Sequence, residues 1–179
     1  MESDPIPAAN TIVLIGYRGT GKTTVARALA AHLQYDWVDT DDLVEQSMGK
    51  TITEIFSQLG ESTFREQEVT VVDDLCRKTR MVVATGGGAV LREENRKSMM
   101  ACAEVVWLTA SPETIAERLT SDPATEQRRP NLTNQGGRYE IETLLLQRSP
   151  IYRQCATMTV DTEGKTPDEI VEEIVAQLC

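Results

Sequence analysis

Along the chain, short unbroken apolar runs alternate with stretches in which apolar residues return every three or four positions. The first run, Thr11–Ile15 (TIVLI), is β-branched and stops at Gly16, which predicts a strand buried on both faces of a parallel sheet. Met81–Ala84 (MVVA), residues 104–108 (EVVWL) and residues 157–160 (TMTV) repeat that pattern. Residues 36–38, ending at Asp39, form a further and weaker strand candidate. Helical periods lie between the runs. From about Lys22, Val25, Leu29 and Leu33 stand at i, i+4 and i+8 and make one inner stripe. Residues 61–79 gather Phe64, Val71, Val72, Leu75 and Cys76 mostly on one side. Residues 167–178 carry Ile170, Val171, Ile174, Val175 and Leu178, with Pro167 near the first helical position. Strand alternating with helix predicts an α/β doubly wound fold of three layers, a mostly parallel sheet covered on both faces.

Two segments break the alternation. Residues 1–10 read as a loosely held leader, because Pro5 and Pro7 interrupt any helix. Residues 121–137 (SDPATEQRRPNLTNQGG) are polar, hold two prolines and end on Gly136-Gly137. They are long for a passive connection and predict a mobile lid on a single domain spanning 11–179. There is no internal repeat.

Charge and composition narrow the function. The net charge of −10 repels polyanions, so nucleic acid and anionic membrane surfaces are poor partners, although local arginines can still gather a small anion. The four cysteines show no CxxC spacing and read as reduced thiols used for packing, and Met99 and Met100 also read as packing residues. His32 is the only histidine, which excludes a His-rich metal site, and its place at the end of the first helix reads as a surface position. No signal-like segment opens the chain and no apolar run reaches the length of a membrane span, so the expected location is the cytoplasm.

The chemistry concentrates where strands end. Gly16-Tyr-Arg-Gly-Thr-Gly21-Lys22-Thr23 matches G-x-x-x-x-G-K-[ST] between a buried strand and an amphipathic helix. Glycines let successive amides converge on phosphate oxygens, the helix N-terminus adds positive potential, Lys22 can reach the outer phosphates and Thr23 can bind Mg²⁺. Asp39 and Asp41, in Val38-Asp-Thr-Asp-Asp42, stand at the next strand end. There, carboxylates can hold Mg²⁺ or take the proton of an attacking hydroxyl. An acidic pair opening a helix also reads as a cap, and Asp42 is the candidate for that duty. Gly86-Gly87-Gly88 follows the strand over 81–84 and allows close approach of backbone to ligand, or merely a tight turn.

Together GYRGTGKTT (16–24), DTD (39–41), FREQE (64–68), TGGGAV (85–90), RRPNL (128–132) and RSPIYRQ (148–154) resemble the shikimate kinase family, a branch of the nucleoside-monophosphate-kinase-like P-loop fold. The likeness runs from about Ile12 to the C-terminal helix. It implies a five-stranded parallel sheet, a lid closing over ATP and acceptor, a monomer, and ATP-dependent phosphorylation of shikimate in aromatic amino-acid biosynthesis. It also implies roles. ATP would meet Gly19, Thr20, Gly21, Lys22, Thr23 and Thr24, with Arg118 at the adenine. Asp39 and Thr23 would serve Mg²⁺. Asp41 would orient the acceptor hydroxyl and act as base. Arg65, Gly87, Gly88 and Arg148 would gather the substrate, the two arginines on its carboxylate. Arg129, before Pro130, would act with Lys22 and Asp41 in catalysis as an arginine finger. Lys165 is a stand-in for an arginine many relatives carry near adenine, while Arg128, Arg138 and Arg153 read as solvated, and Tyr17, Arg18 and Trp37 carry no assigned role. Two other readings stay open: another small-metabolite kinase of this fold, such as a gluconate or adenylate-type kinase, and a nucleotide-binding module without phosphotransfer.

Overall fold

The computed structural model describes residues 11–121 and 137–178. The predicted leader, Arg128 and Arg129, and all of the predicted lid but its two end residues lie outside the described residues. Strand β1 (Thr11–Ile15) is buried throughout and is the middle strand of a five-stranded sheet. Its neighbours are β3 (Met81–Ala84) and β4 (Ala103–Thr109), with β2 (Asp36–Asp39) and β5 (Met158–Asp161) at the edges. Every pairing is parallel. The order β2-β3-β1-β4-β5 sends the chain one way from β1 and then the other, so the carboxyl end of β1 faces the crevice where such sheets bind ligands.

Alternation along β1 splits the core in two. Ile12 and Leu14 face α1 (Lys22–Leu33) and the C-terminal helix over Pro167–Leu178, meeting Val25, Leu29, Ile170 and Ile174. Val13 and Ile15 point the other way, into a cluster with Phe64, Val72, Leu75, Met99, Trp107 and Tyr152. Helices α2 (Thr40–Met48), α3 (Ile52–Gln58), α4 (Glu61–Cys76) and α5 (Glu93–Cys102) build that second side, followed by α6 (Pro112–Ser121) and α7 (Gly137–Cys155). The C-terminal helix is α8. The doubly wound α/β fold with five parallel strands is therefore as expected.

Local expectations fared unevenly. The helix predicted over 61–79 ends at Cys76, its cap residue Arg77 still being right-handed helical, with no glycine to turn the chain. The helix cap at the acidic pair is Asp39, not Asp42: a capping residue must sit outside the first turn with extended backbone, as Asp39 does at φ −107° and ψ 128°. Met99 is fully buried, but Met100 is 58% exposed, because it faces away from the sheet on α5. Cys76 and Cys155 are buried free thiols, and burial pushes Cys155 up to about 11, which suits packing. His32 is exposed at the end of α1, and no helix among the described residues is long and apolar enough to cross a membrane.

Candidate active site

The buried β1 run delivers the chain to the loop 16–21. Gly21 takes φ 89°, a left-handed angle that favours glycine, and no side chain caps α1. The first amides of α1 are thus left for an anion, reinforced by the helix dipole. Lys22 is 8% exposed and folds over the loop, its Nζ donating to the carbonyls of Gly16 (2.8 Å) and Tyr17 (2.7 Å). The Thr20 hydroxyl donates to the Tyr17 carbonyl, and Thr23 and Thr24 lie exposed on the first turn of α1. Arg118 of α6 donates to the Gly19 carbonyl and to both the hydroxyl and the carbonyl of Thr162, a planar cation held between the phosphate loop and the segment after β5.

β2 ends on Asp39, whose two oxygens do separate work. Oδ1 accepts from the Asp41 amide at 3.0 Å, and Oδ2 accepts from the Thr23 hydroxyl at 2.9 Å. Thr40 is fully buried, and its hydroxyl oxygen accepts from the Gly86 amide at 3.0 Å, fastening the acidic turn to the glycine turn. Replacing Thr40 by valine keeps the shape but leaves that buried N–H without its partner, at about 1–3 kcal/mol. Thermal unfolding of Thr40→Val is expected about 3–10 °C lower; an unchanged midpoint would mean that this link carries no load.

At the end of β3 the glycine turn is held from both sides. The Tyr152 hydroxyl donates to the Gly87 carbonyl at 2.5 Å, and Arg148 Nη1 reaches the same oxygen at 3.4 Å. A side chain on Gly88 would stand 2.5 Å from the Arg65 guanidinium, so glycine there lets Arg65 lie against the backbone. Arg65 donates to Glu68 Oε2 at 2.8 Å and to Glu61, which fixes the plane of its fork. Burial pushes the Glu68 carboxyl up, and the Arg65 charge pulls it partly back.

These pieces surround one cavity of about 550 Å³, lined among others by Asp41, Arg65, Glu68, Arg148 and Gly86–Gly88, with Tyr17 and Arg18 of the phosphate loop at its wall. An anion entering it meets guanidinium groups from α4 and α7 and a carboxylate from α2, beside the phosphate loop. Asp41, Arg65, Gly87, Gly88 and Arg148 thus come together, and Lys22, Thr23 and Asp39 adjoin one another. Arg129 lies outside the described residues. Lys165 pairs with Glu173 of α8. Arg138 is exposed and pairs with Glu113 and Glu142, while Arg153 is exposed. Trp107 is core, stacked on Tyr152 with ring centroids 5.7 Å apart.

Sequence reasoning missed Thr40, Glu68, Tyr152, Arg18 and Glu140. The first three sit inside quoted motifs, so their presence was visible and their contacts were not. Arg18 and Glu140 form an ion pair at 2.8 Å across 122 positions, and no local pattern signals it.

The family model described as shikimate kinase matches residues 18–179. A shikimate kinase from Thermodesulfovibrio yellowstonii is 42% identical over 166 residues, covering 93% of each chain. One from Rhodopirellula baltica is 40% identical over 164 residues, covering 92% of this chain and 88% of its own length. The structure of Acinetobacter baumannii shikimate kinase in complex with shikimate superposes with a TM-score of 0.88 at 32% identity, covering 95% of this chain and 93% of that one. With a family model spanning most of its length and relatives this similar, the chain belongs to the shikimate kinase family.

Proposed function

We propose that this chain carries out the ATP-dependent phosphorylation of shikimate with the residues grouped around the cavity, as a monomer in the cytoplasm. The observation that carries the reading is that Asp41, Arg65 and Arg148, from three different helices, line one cavity against the phosphate loop. Arg65 and Arg148 hold the acceptor's carboxylate, since a planar guanidinium pairs with it through two parallel bonds. Amides of Gly87 and Gly88 approach the same group. Asp41 aims the acceptor hydroxyl at the terminal phosphorus and takes up its proton. Phosphoryl transfer is largely dissociative in most analyses, so orientation carries much of the effect and a strong base is not needed.

On the nucleotide side, the amides of 19–24 and Lys22 grip the phosphates. Lys22 Nζ exchanges a loop carbonyl for phosphate oxygens as it does so. Arg118, fixed between Gly19 and Thr162, lies against the adenine. Thr23 and Asp39 fit Mg²⁺: a hydroxyl and a carboxylate oxygen meet at 2.9 Å, both hard donors. No cluster of three or more acidic, histidine or cysteine side chains suited to a metal occurs among the described residues. When bound, the ion neutralises charge building on the phosphates.

Measuring ADP release with shikimate, gluconate and AMP as acceptors tests the assignment. Shikimate is expected to be the preferred acceptor by at least about 100-fold in kcat/KM, because only it supplies a ring hydroxyl together with a carboxylate spaced for this cavity. Equal rates with gluconate would overturn the acceptor, and nucleotide binding without any release would favour a non-catalytic module.

A further inference from the structure

The ion pair between the phosphate loop and α7 is not used by the mechanism above. Arg18 Nη2 donates to Glu140 Oε1, and the two side chains are only 12% and 0% exposed. An acid in the first turn of a helix gains from the helix dipole without being buried, so the dipole does not explain why Glu140 is sunk in the interior. Burying a carboxylate is costly unless a partner charge and hydrogen bonds compensate it. Here the partner belongs to the loop that meets the nucleotide.

Roughly two turns further along α7 stands Arg148. At that level the helix is fastened again, by Tyr152 and Arg148 to the Gly87 carbonyl. The phosphate loop touches the glycine turn directly: a side chain on Gly87 would lie 3.2 Å from the Arg18 amide nitrogen. Tyr17 completes the joint, packing with Ile141 and Leu144 of α7. The Arg18 and Arg148 guanidinium carbons each stand 5.9 Å from the centre of its ring. Phosphate loop, glycine turn and α7 therefore form a closed set of contacts with Arg148 at its inner edge.

We propose that Arg18 and Glu140 are positioning residues whose pair sets α7 against the phosphate loop, so that Arg148 meets the acceptor's carboxylate in line with the nucleotide. The inference rests on the acceptor role given to Arg148 under the proposed function. Arg18 stands at the wall of the same cavity, and the role assigned to it here acts through Arg148. The pair thus links the two substrate sites, and its loss falls on acceptor binding.

Steady-state kinetics of four variants decides it. Glu140→Gln keeps the volume and an acceptor oxygen but removes the charge; Arg18→Lys keeps the charge but removes the planar fork. Each is expected to raise the KM for shikimate about tenfold, with kcat and the KM for ATP within about threefold. The double variant is expected to be no worse than the poorer single one, since both remove the same link. Arg148→Lys serves as the reference for the acceptor reading and is expected to raise the same KM at least as much. If Arg148→Lys leaves that KM unchanged, the acceptor reading itself is wrong. If it raises KM while Glu140→Gln does not, the positioning role alone falls, whatever Arg18→Lys does. A loss of kcat at constant KM in the pair variants also overturns it, because that marks general support of the fold. Should Glu140→Gln not fold, Glu140→Asp, a carboxylate one methylene shorter, takes its place under the same criteria.

Discussion

Replacing Asp41 by asparagine is expected to lower kcat by about 10²–10⁴-fold while the affinity for ATP stays within about threefold. Asparagine keeps the size of the side chain and a hydrogen-bonding oxygen, so the cavity wall and the α2 turn survive. The Asp41 amide, which Asp39 holds, belongs to the backbone and is untouched. Under the proposed function, what disappears is the acceptor for the hydroxyl proton and the negative charge that draws that hydroxyl toward the phosphate. The proposed nucleotide contacts arise from the loop 16–21 and the start of α1, so they do not depend on this carboxylate. Single-turnover kinetics together with equilibrium titration of ATP separates the two quantities. Turnover within about threefold of the parent would mean that a different group takes the proton.

Lys22→Met is expected to behave differently, because Lys22 does two jobs. Its ammonium holds the carbonyls of Gly16 and Tyr17, which shapes the loop, and under the proposed function it also meets the outer phosphates. A charge-assisted hydrogen bond of this sort is worth about 1.5–3 kcal/mol. Affinity for ATP is therefore expected to fall about 10- to 100-fold. The rate should fall further, since the charge also stabilises the transferring phosphoryl group. Methionine supplies the volume but no donor, leaving two carbonyls without this partner, so the unfolding midpoint falls as well. Calorimetric titration of ATP and a thermal melt measure both. Normal ATP affinity in a well-folded Lys22→Met protein would contradict the phosphate cradle.

The strands were the most legible part of this chain. All five fall on the predicted segments, with boundary differences of a residue at most at either end; β1 and β3 are buried throughout, which admits little else, while the edge strands β2 and β5 are partly exposed. The order in which they lie side by side was not visible from periodicity, since any run can neighbour any other until the connections are packed. The short helices were hidden. Residues 52–58 form a helix of seven residues with too few turns to show a stripe. Yet Thr51 and Glu54 form a capping box there, a T-x-x-E signal that stood in the sequence.

The same division runs through the site. Lys22, Asp39, Asp41 and the glycines stood out because a phosphate-binding loop and the strand ends beside it carry fixed spacings. Asp42 was assigned the cap that Asp39 provides: adjacent acids are alike in sequence, and only backbone angles distinguish a cap from a first-turn residue. Glu68, Thr40 and Tyr152 orient the functional groups through bonds to a neighbouring turn or helix. Such bonds depend on three-dimensional placement. Arg18 and Glu140 lie at the far end of that scale, joined only when the last long helix returns to the first loop.

The arrangement of Asp41 against the acceptor is tested most directly by a crystal structure of the chain with shikimate and a non-hydrolysable ATP analogue. The expected result is an Asp41 carboxylate oxygen about 2.6–3.2 Å from the hydroxyl that faces the terminal phosphorus, with the shikimate carboxylate resting on Arg65 and Arg148. Shikimate bound in the cavity with Asp41 turned away from that hydroxyl, or with its carboxylate remote from both arginines, would contradict it.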